Sequence, residues 1–170
     1  SQTLTINVTG ANDTPVLSAS LTSTTYIDTA ANDTFNNVTG QLSTLDRDAN
    51  DTAVYSITDG IEGSYTLGSG LATRTFDEKV VGTYGTLYLN STTGSYEYVP
   101  NDGAIEGLKT DASETFTLVV TDGSSATDSQ TLTINVTGAN DTPVLSASLT
   151  STTYIDTAAN DTFNNVTGQL

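Results

Sequence analysis

The stretch Thr131–Thr137, TLTINVT, sets Leu132, Ile134 and Val136 against Thr131, Thr133, Asn135 and Thr137 in strict alternation. Residues two apart on an extended chain share a face, so this is the pattern of a strand with one side in a core and the other in water. TFTLVVT at 115–121 does the same with Phe116, Leu118 and Val120. Working outward, strands are predicted at 52–58 (TAVYSIT), 84–90 (YGTLYLN) and 95–99 (SYEYV). The STTG at 91–94 reads as a hairpin connection in which Gly94 supplies a positive φ. Thr fills 35 of the 170 positions, and its branched Cβ favours strands over helices. No window carries a long run of helix formers at helical spacing, and only 103–113 has room for one short helical turn. These elements predict an all-β fold, an antiparallel β-sandwich with Greek-key connections.

TLTINVT also occurs at 3–9, as part of a larger identity: residues 1–42 recur unchanged at 129–170, a period of 128 residues. That period is too long for a solenoid unit and suits a self-contained domain, so a tandem array of near-identical beads is expected. TGANDTPV stands at 9–16 and again at 137–144, just after the repeated strand. Pro15 and Pro143 stop a strand from continuing, and the Asn and Asp before each favour turns. The predicted boundaries follow: 1–10 as the last strand of a preceding repeat, 11–139 as the complete domain, 140–170 as the start of the next. Neighbouring repeats of the same chain are then the first partners expected.

The chain carries 20 acidic side chains against 4 basic ones, a formal charge of -16, and one period alone holds -13. With no His and no Cys, imidazole and thiol chemistry, Cys/His zinc sites and disulfides are excluded. Such a charge opposes nucleic acid and anionic lipid and favours cations. No apolar run of about 20 residues is present, so no membrane insertion is expected of this segment.

Site chemistry must therefore come from oxygen ligands. The densest group is DRDAND at 46–51, where Asp46, Asp48 and Asp51 sit in a loop and Asn50 can add a neutral oxygen. Carboxylates at that spacing converge on a hard cation, and Ca2+ suits them better than Mg2+, which demands a tighter octahedron. The loop lacks the Gly at position six and the Glu at twelve of an EF-hand. A second group surrounds the linkers: Asp122 in TDG, Asp13 beside Asn12, Asp141 beside Asn140, and Asp28 and Asp33 with their copies Asp156 and Asp161. A cation shared between beads would turn their repulsion into a stiff joint, while the plain alternative makes NDTP a turn motif. A third group is Asp111 with Glu114, joined by Asp102 and Glu106; Glu114 either reaches a cation or caps a strand edge.

Glycosidases need only two acids, but here the acids lie in polar loops and there is no Trp to form a sugar platform. No catalysis is expected. Tyr84, Tyr88 and Tyr96 form the best carbohydrate-facing patch.

GQLSTLDRDANDTAVYSI (40–57), YGTLYLNSTTGSYEYVPN (84–101) and ETFTLVVTDGSSATDSQTLTINVTGANDTPV (114–144), in that order, resemble the VCBS repeat of giant bacterial surface adhesins of the RTX type. The extender regions of those proteins are tandem Ig-like or cadherin-like domains. The resemblance implies type I secretion, an extracellular place on the bacterial surface, calcium-dependent folding, and a role in holding a distal ligand-binding region away from the cell. Asp46, Asp48 and Asp51 match the acidic loop of that repeat, Asp122 its TDG, and Asp13 and Asp141 its inter-domain motif. Residues 59–83 depart from the pattern as a longer insertion. The expected function is a calcium-stabilised structural extender, and the alternative is a carbohydrate-binding adhesion module for host or biofilm-matrix glycans.

Overall fold

The structure, a computed structural model, describes residues 1–48, 51–68, 72–143 and 145–170. Along the chain run β1 (Val16–Ala19), β2 (Ser23–Ile27), β3 (Val38–Leu45), β4 (Val54–Ile57), β5 (Ile61–Leu67), β6 (Arg74–Val81), β7 (Gly85–Leu89), β8 (Ser95–Pro100), α1 (Asp102–Glu106), β9 (Ala112–Thr121) and β10 (Thr127–Thr137). They form two sheets, β1-β3-β8-β7-β6-β5 and β2-β10-β9-β4, which makes the predicted all-β sandwich.

One pairing departs from an all-antiparallel sheet. β1 lies antiparallel to β3, and after a three-residue bend β2 joins the other sheet parallel to β10, from Thr133 opposite Ser23 to Thr137 opposite Ile27. Splitting this first stretch across the two layers lets Leu17 and Tyr26 both enter the core, at 2% and 7% exposure.

Alternation builds that core. Leu87 and Leu89 of β7 with Tyr96 and Tyr98 of β8 face Phe116, Leu118 and Val120 of β9 and Leu132, Ile134 and Val136 of β10. The β7–β8 hairpin turns as expected through Gly94 at φ 72°, with Gly94 N donating to Asn90 O at 2.9 Å. α1 is the short helical turn, capped by the Asn101 side chain and seated on buried Ile105.

Register also removes the tyrosine patch. Tyr88 lies opposite Glu97 while Leu89 lies opposite Tyr96, so Tyr88 and Tyr96 take opposite faces of the sheet. Tyr96 is 2% exposed with its hydroxyl lodged on the Leu21 backbone, and Tyr88 packs against Tyr65 at 5.7 Å. Tyr84 is partly buried against the core, so Tyr84, Tyr88 and Tyr96 offer no common platform to a sugar.

The insertion 59–83 contributes β5 and β6, an edge hairpin that widens the six-stranded sheet and carries a bulge between Glu62 and Tyr65. Residues 3–9, expected as the last strand of a preceding repeat, carry no strand within this chain. Leu4, Ile6 and Val8 are 84%, 76% and 87% exposed, whereas the same residues of the repeat, Leu132, Ile134 and Val136, are 1%, 0% and 2% exposed. The sequence is identical, but only 131–137 has β2 on one side and β9 on the other.

Candidate functional site

Two carboxylate clusters stand at opposite ends of β10, which at its eleven residues is about 35 Å long. At the end where β10 starts, Asp46, Asp51 and Asp122 each bring one oxygen to within 4.8 Å of the others. The local backbone explains the gathering. Asp122 closes the β9–β10 turn, taking Ser124 N at 2.9 Å and Ala126 N at 2.7 Å on Oδ1, with Ser125 at φ 72°. Asp51 Oδ1 reaches across to Gly123 N at 2.9 Å, and Asp46 Oδ1 takes Asp48 N at 2.9 Å. The N-terminal linker then lies over the cluster: Asn12 Nδ2 donates to Asp122 Oδ2 at 2.9 Å and Asp13 N to Asp48 Oδ2 at 2.6 Å. The Asn12 amide, followed by the turn N–H groups, holds the Asp122 carboxyl below the usual range, against the effect of burial.

At the far end, Asp28, Asp33 and Glu106 bring their oxygens equally close. Asp28 follows β2 and is 3% exposed; its Oδ2 takes Ala139 N at 3.0 Å from the C-terminal linker. Asp33 binds its own loop, taking Thr29 N at 2.7 Å, and its N–H donates to Glu106 Oε1 at 2.9 Å. Partial burial pushes the Glu106 carboxyl up; the Asp33 N–H opposes this, while the charges of Asp28, Asp141 and Asp33 add to it.

Among the described residues, each cluster holds one buried carboxylate oxygen without a hydrogen-bond partner, Asp46 Oδ2 and Asp28 Oδ1. An orphaned anionic oxygen facing two further carboxylates is costly unless a positive charge completes the site. The donor sets are all oxygen, which fits a hard divalent cation.

The expected residues sort as follows. Asp46, Asp51 and Asp122 come together, with Asp48 and the Asp13 backbone beside them. Asp28 and Asp33 come together with Glu106, and Asp141 lies close enough to raise that group. Asp111 and Glu114 serve separately: Asp111 Oδ1 takes Gly138 N at 3.2 Å, while Glu114 takes Tyr98 Oη at 2.6 Å and the N–H groups of Thr83 and Tyr84. Glu114 thus anchors the β6–β7 turn. Asn50 lies outside the described residues.

With the sandwich and its poles defined, the class is an Ig-like β-sandwich domain. A family model described as bacterial Ig domain matches residues 66–135, from the end of β5 into β10, and over that stretch the chain is similar to the domains of that family. No curated protein matches the chain. The likeness supports a bacterial Ig-like domain of extracellular, structural or adhesion type.

Proposed function

We propose that this chain is a non-catalytic extender unit of a bacterial surface adhesin, stiffened by Ca2+ at both poles, with 11–139 as one bead between flanking repeats. The observation that carries the reading is the pair of orphaned oxygens, Asp46 Oδ2 and Asp28 Oδ1, each inside a three-carboxylate cluster beside a linker. The two copies of GANDTP use different atoms. The first gives Asn12 Nδ2 and Asp13 N to the cluster that follows it, and the second gives Ala139 N to the cluster that precedes it. A single linker making both sets of contacts would tie two successive beads at a fixed angle. Asp46, Asp51 and Asp122 would hold one cation and Asp28, Asp33 and Glu106 another, with Asp141 lending charge to the second. Bound charge there offsets the carboxylate repulsion and restrains the linker, which gives an acidic array reach without collapse.

Calorimetric titration with Ca2+, paired with thermal melts in Ca2+ and in EDTA, tests this. Saturable heat from more than one site and a large rise in Tm are expected. Absence of both heat and shift would reduce the clusters to solvated surface.

A further inference from the structure

Tension drawn through the two linkers meets the sandwich along its strands. The N-terminal linker crosses the Asp122 pole, where Asn12 is bound, and the C-terminal linker crosses the Asp28 pole, where Ala139 is bound. β1 begins at the first pole, with Val16 opposite Leu45 and so beside Asp46. β10 ends at the second, where Asp28 N donates to Thr137 O at 2.9 Å. Pulling the linkers apart draws β1 and β2 toward one pole and β10 toward the other. Because β2 runs parallel to β10, the two strands must slide along each other instead of lifting off. Their ladder is closed at its start by Thr133 N on Thr22 O at 2.9 Å and at its end by Asp28 N on Thr137 O, and parallel alternation puts the Thr24 and Tyr26 rungs between. Sliding loads every rung together, so none yields alone; a force across the strands would break them one after another.

β1 adds a second hold on the same strand. Leu17 N donates to Asp128 Oδ2 at 2.8 Å and Gln130 Nε2 donates to Leu17 O at 3.2 Å, and both partners belong to β10, the strand pulled the other way. In the opposite layer β1 lies antiparallel to β3, and its pulled end stands where β3 ends, so it too must slide before it can leave. The bend behind it is pinned by Ser20 N on Gln41 O at 2.9 Å and Gln41 N on Ser20 Oγ at 2.8 Å. β10 in turn sits between β2 and β9. We infer that residues 16–28, fastened to β10 in shear, form a clamp that resists unfolding when the chain is pulled through its linkers. This is a mechanical activity distinct from stiffness. It rests on the extender reading for the direction of the load alone, since the ladder is made of backbone groups and requires no cation. Forced unfolding is set by the barrier to the first rupture, so a clamp at the pulled strands governs it more than overall stability does.

Single-molecule stretching of the 170-residue chain in two directions, in Ca2+ and in EDTA, tests the inference. The chain has no Cys, so paired substitutions set the points of attachment. Ala11→Cys with Thr142→Cys pulls through the two linkers and leaves the outer segments unloaded. Thr92→Cys with Ser124→Cys pulls on exposed turns of the two sheets at one pole, side by side because Tyr55 N donates to Ser91 O while Tyr55 lies opposite Val120. The first pair should need several times the force of the second at the same pulling speed. Equal forces overturn the clamp, and so does a difference that vanishes in EDTA while the chain stays folded, which assigns the resistance to bound ions. Neither result touches the calorimetric test of cation binding. Thr24→Pro removes one rung and should lower the force through the linkers while leaving the other direction unchanged. Where that variant does not melt cooperatively, Gln130→Ala, which frees only Leu17 O, should give the same one-directional loss. A folded variant that resists the linkers as the parent does counts against the proposal.

Discussion

Glu78 is an acid placed where a sandwich has little use for one. It is 8% exposed, its Oε2 takes Ile57 N at 3.1 Å, and its carboxyl is pushed up first by burial and further by the charges of Asp77 and Glu62, against the hydrogen bond from Ile57. An acid whose pKa is higher folded than unfolded binds its proton more tightly in the native state. It therefore costs stability above the usual carboxylate range and costs nothing once both states are protonated. Glu78→Gln keeps an acceptor for Ile57 N and removes the charge. Melts across acid and neutral pH should show the variant more stable at pH 7, with the advantage shrinking as pH falls; a difference that does not change with pH would show packing rather than charge at work. Glu97 is the opposite case. It is fully buried, yet Arg74 meets it through Nε at 2.6 Å and Nη2 at 2.7 Å, and Asn37 donates at 2.7 Å. Burial alone does not make an acid a candidate site; an orphaned oxygen among like charges does, and that distinction is invisible in a list of Asp and Glu.

The strand TLTINVT shows what an element can and cannot say about itself. Its alternation is legible at both positions, and so is its type, but only neighbours decide whether it forms. Ile134→Ala should cost about 2–5 kcal/mol, the range for truncating a buried Ile without collapse of the cavity. Ile6→Ala, the same change one repeat earlier, should alter stability by no more than about 0.5 kcal/mol. Chemical denaturation of the two variants checks both, and equal losses would mean that residues 3–9 contribute to the fold as β10 does. The strands legible in advance, β4 and β7 to β10, are those with a clean apolar stripe. β3 hid because Gly, Ser and Thr fill half of VTGQLSTL and only Leu42 is fully buried. β5 hid because an edge strand with a bulge need not alternate. The parallel seat of β2 against β10 joins segments more than 100 residues apart, and no local pattern encodes it.

Over the whole molecule, the same long-range folding assembles the clusters, and the sequence disclosed them unequally. Asp46 and Asp51 declare themselves by spacing, and Asp122 follows from its turn. Glu106 was visible only as a weak neighbour of Asp111, because α1 carries it to Asp33 across 73 residues of chain. That residue gives the sharpest test at this scale, since its effect should change sign with the cation. Without Ca2+, Glu106→Gln removes a carboxylate whose pKa is raised, so it should stabilise at neutral pH and become neutral in acid. With Ca2+, it removes a proposed ligand, so the rise in Tm on adding the ion should be smaller than in the parent chain. Monovalent salt cannot substitute. It screens exposed charges about 10 Å or more apart, but the oxygens of each cluster lie within 4.8 Å of one another and one in each is buried. Melts of parent and variant in EDTA, in EDTA with high salt, and in Ca2+ separate these terms. If Glu106→Gln, which keeps an acceptor for Asp33 N, shifts Tm equally in all three, cation binding at that pole has no part in holding the C-terminal linker.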